Sequence, residues 1–176
     1  MKIIVIGLGS MGKRRIRNLK RLGHDDITGY DLREDRRGEA SQKYGVDTIE
    51  NLDAVLSQDA DAWIISTPPN THAAFGLRAA SQGIAFFAEA GVADPNTEQL
   101  IVSIAETGVV GAASCTMRYY DGPRKIQELA GSGIIGKPLS FVYHSGQYLP
   151  DWHPWESYKD FYVSNPATGA CREIVP

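Results

Sequence analysis

Cysteine is scarce. Only Cys115 and Cys171 occur in 176 residues, far apart and without metal-ligand spacing. That excludes a disulfide framework and a cysteine-based metal centre, and no metal is expected. Long apolar runs are missing too, so no stretch approaches a membrane span and no membrane partner is expected. The opening Met1-Lys2-Ile3-Ile4-Val5-Ile6 is too short for a secretory leader. Gly7 to Gly12 followed by Lys13-Arg14-Arg15 would also make a poor cleavage region. Excess positive charge is absent: 18 Lys and Arg against 21 Asp and Glu leave a net charge of −3. No nucleic-acid partner is therefore expected. Neither repeats nor low-complexity segments occur. These absences together predict a cytoplasmic protein. What is present is globular in composition, 43% hydrophobic and 22% charged. The length suits one full domain and part of another.

The most informative segment is the start. Ile3-Ile4-Val5-Ile6 feeds directly into G-x-G-x-x-G at Gly7, Gly9 and Gly12. Asp31 stands nineteen positions after Gly12, at the end of a second apolar stretch, Ile27-Thr28-Gly29-Tyr30. Strand, glycine turn, helix and acid-tipped strand form one physical device. Gly7 permits a tight turn, Gly9 lets the backbone approach a pyrophosphate, and Gly12 lets the helix pack closely on the sheet. The helix N-terminus faces the phosphates and Asp31 takes the ribose hydroxyls. The spacing therefore predicts a dinucleotide site, with NAD as the cofactor. Arg33, Arg36 and Arg37 leave a second possibility open, a 2′-phosphate site admitting NADP. The plain alternative for these arginines is the solvated face of a helix.

Strand-like and helix-like segments alternate through the first two-thirds. Helices are expected over 11–22, 33–44, 52–56, 71–81 and 97–107. Strands are expected over 46–49, 62–66, 84–87 and 109–113. Asn70, behind Thr67-Pro68-Pro69, is the expected cap of the 71–81 helix. This alternation predicts an α/β fold, a doubly wound parallel sheet with helices on both faces. The pattern changes near Met117 to Tyr120, which divides the chain into a dinucleotide-binding domain, 1–118, and a partial α+β domain, 119–176. In the second part a helix is expected from Gly122 to Leu129 and one long strand from Leu139 to Tyr148. Unpaired edges and apolar side chains on that strand would favour a homo-oligomer.

Four features in order resemble the Gfo/Idh/MocA family of NAD(P)-dependent oxidoreductases. They are the fingerprint Gly7-Leu8-Gly9-Ser10-Met11-Gly12; the loop Ser66-Thr67-Pro68-Pro69-Asn70-Thr71-His72; Phe87-Ala88-Glu89 at a strand end; and Met117-Arg118-Tyr119-Tyr120 with the later Gly133-Ile134-Ile135-Gly136-Lys137-Pro138. The resemblance implies a Rossmann domain followed by the beginning of a substrate domain. It implies hydride transfer to or from a hydroxyl of a sugar- or cyclitol-like small molecule. It also implies cofactor contacts from Gly7, Leu8, Gly9, Ser10, Met11, Gly12, Asp31, Ser66, Thr67, Pro68, Asn70, His72, Glu89 and Arg118. Two departures stand out. The family's Glu-Lys-Pro reads Glu89-Ala90-Gly91, so its catalytic lysine is Ala90. Glu173 stands where the family's second-domain aspartate falls and is the one catalytic candidate. The chain ends at Pro176, before the family histidine. A nucleotide-binding protein without catalysis, or a truncated product, is the alternative reading.

Other residues carry paired readings. His72 is either a cofactor-side group or part of the helix start. Glu89, at the carboxyl edge of a strand, favours a cofactor or substrate contact. His153 and Tyr158 lie in the aromatic stretch from Pro150 to Tyr158, which either lines a sugar pocket or packs on itself, packing being favoured. His144 reads as a sheet-face histidine and Lys137 as solvated. The cysteines read as small buried residues.

Overall fold

The computed structural model describes residues 1–91, 94–144, 146, 148–166, 168 and 169. Two compact units result. One holds Met1–Ser114 and the described residues from Asn165 onward; the other is Cys115–Ser164.

The first unit is built on six parallel strands: β1 (Ile3–Ile6), β2 (Ile27–Tyr30), β3 (Asp47–Ile49), β4 (Ala62–Ile65), β5 (Ala85–Ala88) and β6 (Gly111–Ala113). Their order across the sheet is β3-β2-β1-β4-β5-β6. The central strands β1 and β2 are buried at every position, because helices cover both faces. Alternate residues go to opposite faces. Ile4, Ile6, Trp63, Ile65, Phe86 and Ala88 form one core layer; Ile3, Val5, Leu8, Ile16, Ile27, Ala40 and Val46 form the other.

The connecting helices are α1 (Ser10–Arg21), α2 (Glu34–Tyr44), α3 (Leu52–Leu56), α4 (His72–Ser81) and α5 (Thr97–Thr107). The charge at their starts differs. Helix α2 opens with Glu34 and Asp35, and α5 carries Glu98, each complementing the positive end of its dipole. Helix α1 has no acid in its first turn.

The chain moves outward from β1 to β3 and then returns to place β4 on the other side of β1. Strand order thus reverses between β1 and β4, and a crevice opens there at the carboxyl ends. In open α/β sheets that is where ligands bind.

Asn70 is not the cap of α4. A short 3-10 turn, Pro69–Thr71, precedes the helix, and no side chain of that turn caps it. Asp94 takes the part instead: its carboxylate accepts the Ala73 N–H at 2.9 Å.

In the second unit, a 3-10 turn at Thr116–Tyr119 leads into α6 (Asp121–Gly131), followed by the short helix α7 (Leu149–Trp152) and a last turn at Tyr162–Ser164. The expected strand over 139–148 does not form among its described residues: residues 139–144 have no regular structure, and Leu139, Phe141 and Val142 are exposed. Alternating apolar residues make a strand only when a neighbour completes the hydrogen-bond ladder. Among the described residues no strand pairs with this one. The aromatic stretch engages itself. The His153 ring stacks with Trp155 and Phe161, both at 4.9 Å between centroids, and its Nδ1 lies 2.9 Å from Glu156 Oε1.

Candidate dinucleotide site

The glycine loop leaves β1 still attached to its neighbours. Gly7 N–H donates to Tyr30 O at 2.8 Å, and Ser66 N–H donates to Ile6 O at 2.7 Å. Gly7 then turns with φ +92°, a region that favours glycine. A Cβ there would also lie 2.6 Å from Ser66 O, and one at Gly12 would lie 1.8 Å from Gly7 O. Gly7 and Gly12 therefore have to lack side chains for α1 to begin against the ends of β1 and β4. The first N–H groups of α1 have no partner within the helix. With no acid in the first turn, its positive end is uncompensated.

Asp31 closes the loop from the far side. Its Oδ2 accepts the Leu8 N–H at 2.8 Å, and its Oδ1 accepts the Arg33 N–H at 2.9 Å. Leu8 contributes nothing else to the mouth, since its side chain is wholly buried and packs over Gly29. Leu8 is thus an anchor for the loop. A carboxylate offers about four acceptor positions, so Asp31 retains capacity for further donors while holding the loop in place.

Across the crevice stands the loop after β4. Ser66 Oγ is buried and has no partner among the described residues. Thr71 Oγ1 lies 2.7 Å from Thr67 Oγ1 and 2.8 Å from Pro68 O. His72 is buried, with Nε2 2.7 Å from Thr67 O. A carbonyl only accepts, so Nε2 carries the proton. Burial pushes the His72 pKa below its ordinary 6.5. The backbone of Thr67 and Gly91 and the carboxylates of Glu89 and Asp94 oppose that shift without cancelling it. His72 therefore braces the loop as a neutral ring. Ser10, Pro68 and Asn70 are exposed, while Met11 is half-buried.

Glu89, just beyond β5, is already engaged. Arg15 Nε donates to its Oε1 at 2.5 Å and Arg15 Nη2 donates to Oε2 at 2.8 Å. The same guanidinium reaches Ser114 Oγ at 3.3 Å and lies 4.8 Å from the centre of the Phe87 ring. By helical periodicity Ile16 and Leu19 face inward and the Lys and Arg positions of this helix face water, yet Arg15 is drawn to the sheet edge. Arg15 follows Gly12 by three residues, which puts it one turn down the same helix face, toward the sheet. That spacing was the available signal.

The loop after Glu89 departs from the Glu-Lys-Pro pattern in backbone as well as in side chain. Gly91 has φ +137°, and a Cβ on it would lie 2.7 Å from Pro69 Cβ. Proline, fixed near −65°, cannot adopt that conformation. Asp94 was also missed. It is buried and joins two helices, taking the Ala73 N–H of α4 and the Asn96 N–H ahead of α5. The Asp-Pro-Asn-Thr sequence before α5 signals a turn, but gives no sign of a contact twenty-one residues back.

Arg118 is exposed on the 3-10 turn of the second unit. Glu173 lies outside the described residues, as does Cys171, while Cys115 is exposed rather than buried. Among the described residues no group of His, Cys, Asp and Glu is arranged to hold a metal ion.

A family model described as an oxidoreductase family with an NAD-binding Rossmann fold matches residues 1–112. Inositol 2-dehydrogenase 3 of Saccharopolyspora erythraea is 32% identical over 158 residues, covering 86% of this chain and 47% of that protein. Myo-inositol 2-dehydrogenase of Thermotoga maritima is 31% identical over 147 residues, covering 78% and 43% respectively. The crystal structure of myo-inositol 2-dehydrogenase from Lactobacillus plantarum superposes with a TM-score of 0.72 at 24% identity, covering 78% of this chain and 42% of that one. The chain thus spans a little under half the length of the relatives it matches.

Proposed function

Because the chain belongs to the Gfo/Idh/MocA family of oxidoreductases, with its NAD-binding Rossmann fold, we propose that it binds NAD(H) across the β1–β4 crevice. We further propose that it serves hydride transfer to or from a hydroxyl-bearing carbon of a cyclitol- or sugar-like molecule. The observation that carries the cofactor reading is the cradle itself: Gly7 and Gly12 leave no room for a Cβ, and Asp31 is tied to the loop they form.

The residues present fit the group. The free N–H groups at Ser10, Met11 and Gly12 suit a pyrophosphate. The remaining acceptor positions of Asp31 suit the adenosine ribose hydroxyls. Thr67 and Pro68, on the loop after β4, suit the nicotinamide half, with the unpartnered Ser66 Oγ buried beside them. His72 positions that loop through Thr67 O. Arg15 fixes Glu89 at the edge of β5. Bound NAD supplies the hydride acceptor or donor.

The substrate class rests on the similarity to inositol dehydrogenases. A second reading, nucleotide binding without turnover, is favoured by Ala90. Alanine cannot accept the hydroxyl proton. Glu89 and His72 have other duties, Glu89 with Arg15 and His72 with Thr67. A positioned acid–base group contributes about 10²–10⁴-fold in rate. The expected outcome is therefore tight cofactor binding with little turnover by the 176-residue chain. NAD reduction followed with inositols, aldoses and uronic-type sugars, for the wild type and Ala90→Lys, tests this. Robust wild-type turnover would refute the second reading and place the proton acceptor on another residue. Turnover appearing only in Ala90→Lys would show that side chain to be the missing group.

A further inference from the structure

Charge is segregated within the first unit. Residues 1–24 hold seven Lys and Arg and no Asp or Glu, whereas residues 44–114 hold nine Asp and Glu and a single cation, Arg78. The fold turns this division into two faces. Helix α1, through Ile16, packs on one core layer; α3, α4 and α5, through Val55, Ala79 and Leu100, pack on the other. The basic helix and the acidic segment thus cover opposite sides of the sheet. Helix α2, on the same side as α1, is balanced, with three acids and three cations.

Half of the α1 cations are engaged within the chain. Arg15 is turned inward onto Glu89, Lys13 pairs with Glu39, and Lys20 lies 3.9 Å from Asp25. Arg14, Arg17 and Arg21 are exposed, and among the described residues their side chains form no ion pair or hydrogen bond. Spaced by three and four, they line one stripe of the helix about 10 Å long. On the opposite side, Asp53 in the first turn of α3 and Asp59 just behind its end are exposed and equally without an ion pair among the described residues. Both helices return from the carboxyl to the amino ends of parallel strands, so they run in the same direction. A second copy set behind the first in the same orientation brings Arg14 to the Asp53 end of α3 and Arg21 to the Asp59 end.

We propose that the α1 face of one copy docks on the α3 face of the next, a front-to-back contact between copies of this chain held by charge. Two different surfaces meet, so the contact is heterologous and propagates unless a rotation closes it into a ring. Opposite potentials draw such faces together and set their register, while each exposed ion pair adds little and is screened by salt. The association is therefore weak and salt-sensitive. It stands independently of the cofactor reading.

The experiment is sedimentation of the full chain and two variants at ionic strengths of about 0.01 M and about 1 M, between which the screening length falls from about 30 to about 3 Å. One variant combines Arg14→Glu, Arg17→Glu and Arg21→Glu; the other combines Asp53→Lys and Asp59→Lys. The wild type is expected to form species larger than the 19.2 kDa monomer at low salt, with an apparent Kd weakened about tenfold or more at high salt. Each variant alone should lose the low-salt association, because both of its faces then carry one sign. Mixed in equal amounts the two should regain it, and that recovery also shows both to be folded. The aspartate variant brings the net charge of −3 closer to zero, so its loss cannot come from general repulsion. A wild-type mass indifferent to salt, a variant that associates alone as the wild type does, or a mixture no larger than its components overturns the proposal.

Discussion

Burial decides the role of His72. In the fold it is neutral, with its one N–H given to Thr67 O. In the unfolded chain it takes a proton near its ordinary 6.5, whereas in the fold its pKa lies lower. The unfolded state therefore binds more protons between the two values. The stability His72 contributes is complete above about pH 6.5 and is lost as pH falls toward the folded value. Urea unfolding from about pH 8 to about pH 5 should show a declining midpoint, and His72→Gln should flatten that decline. An identical pH slope in both proteins would show that His72 is not buried as a neutral ring. At this scale the sequence was readable where chemistry is local. Gly7, Gly12 and Asp31 sit at spacings set by a turn and a strand end. Arg15 and Glu89 were not readable as a pair, because seventy-four positions separate them. Only the strand order, which places β5 two strands from β1, shows how α1 reaches that edge.

Elements show the same division between what pattern specifies and what needs a partner. The six strands of the first unit were legible because continuous apolar runs such as Ala62–Ile65 have few alternatives in an α/β chain. The segment 139–144 alternates convincingly and still forms no strand, since a pattern does not supply the neighbouring ladder. Helix α4 was legible, but its start was not: Asp94, not Asn70, accepts the first-turn N–H of Ala73. Asp94→Ala removes an acceptor from both Ala73 and Asn96, and the site is buried, so water does not easily replace it. The expected loss is about 1–3 kcal/mol, read as a lower urea or thermal midpoint. Asp94→Asn, which keeps one acceptor oxygen, should lose less. Equal stability of wild type and Asp94→Ala would show the contact to be idle.

On the scale of the whole molecule, the proposed site follows from where the strand order reverses. The proposed contacts divide between two flanks: one holds the glycine loop, α1 and Asp31, the other Ser66, Thr67 and the braced His72. Composition already set the bounds, and no helix among the described residues is long and apolar enough to cross a membrane. Family membership, fold and cofactor class are consistent with one another. The most direct measurement is calorimetric titration of NAD into the wild type and Asp31→Ala. The expected result is saturable one-site binding to the wild type, weakened about tenfold or more in Asp31→Ala, in keeping with the loss of a charged hydrogen-bond acceptor. No binding to the wild type, or equal binding to both proteins, would contradict the assignment of this crevice as the dinucleotide site.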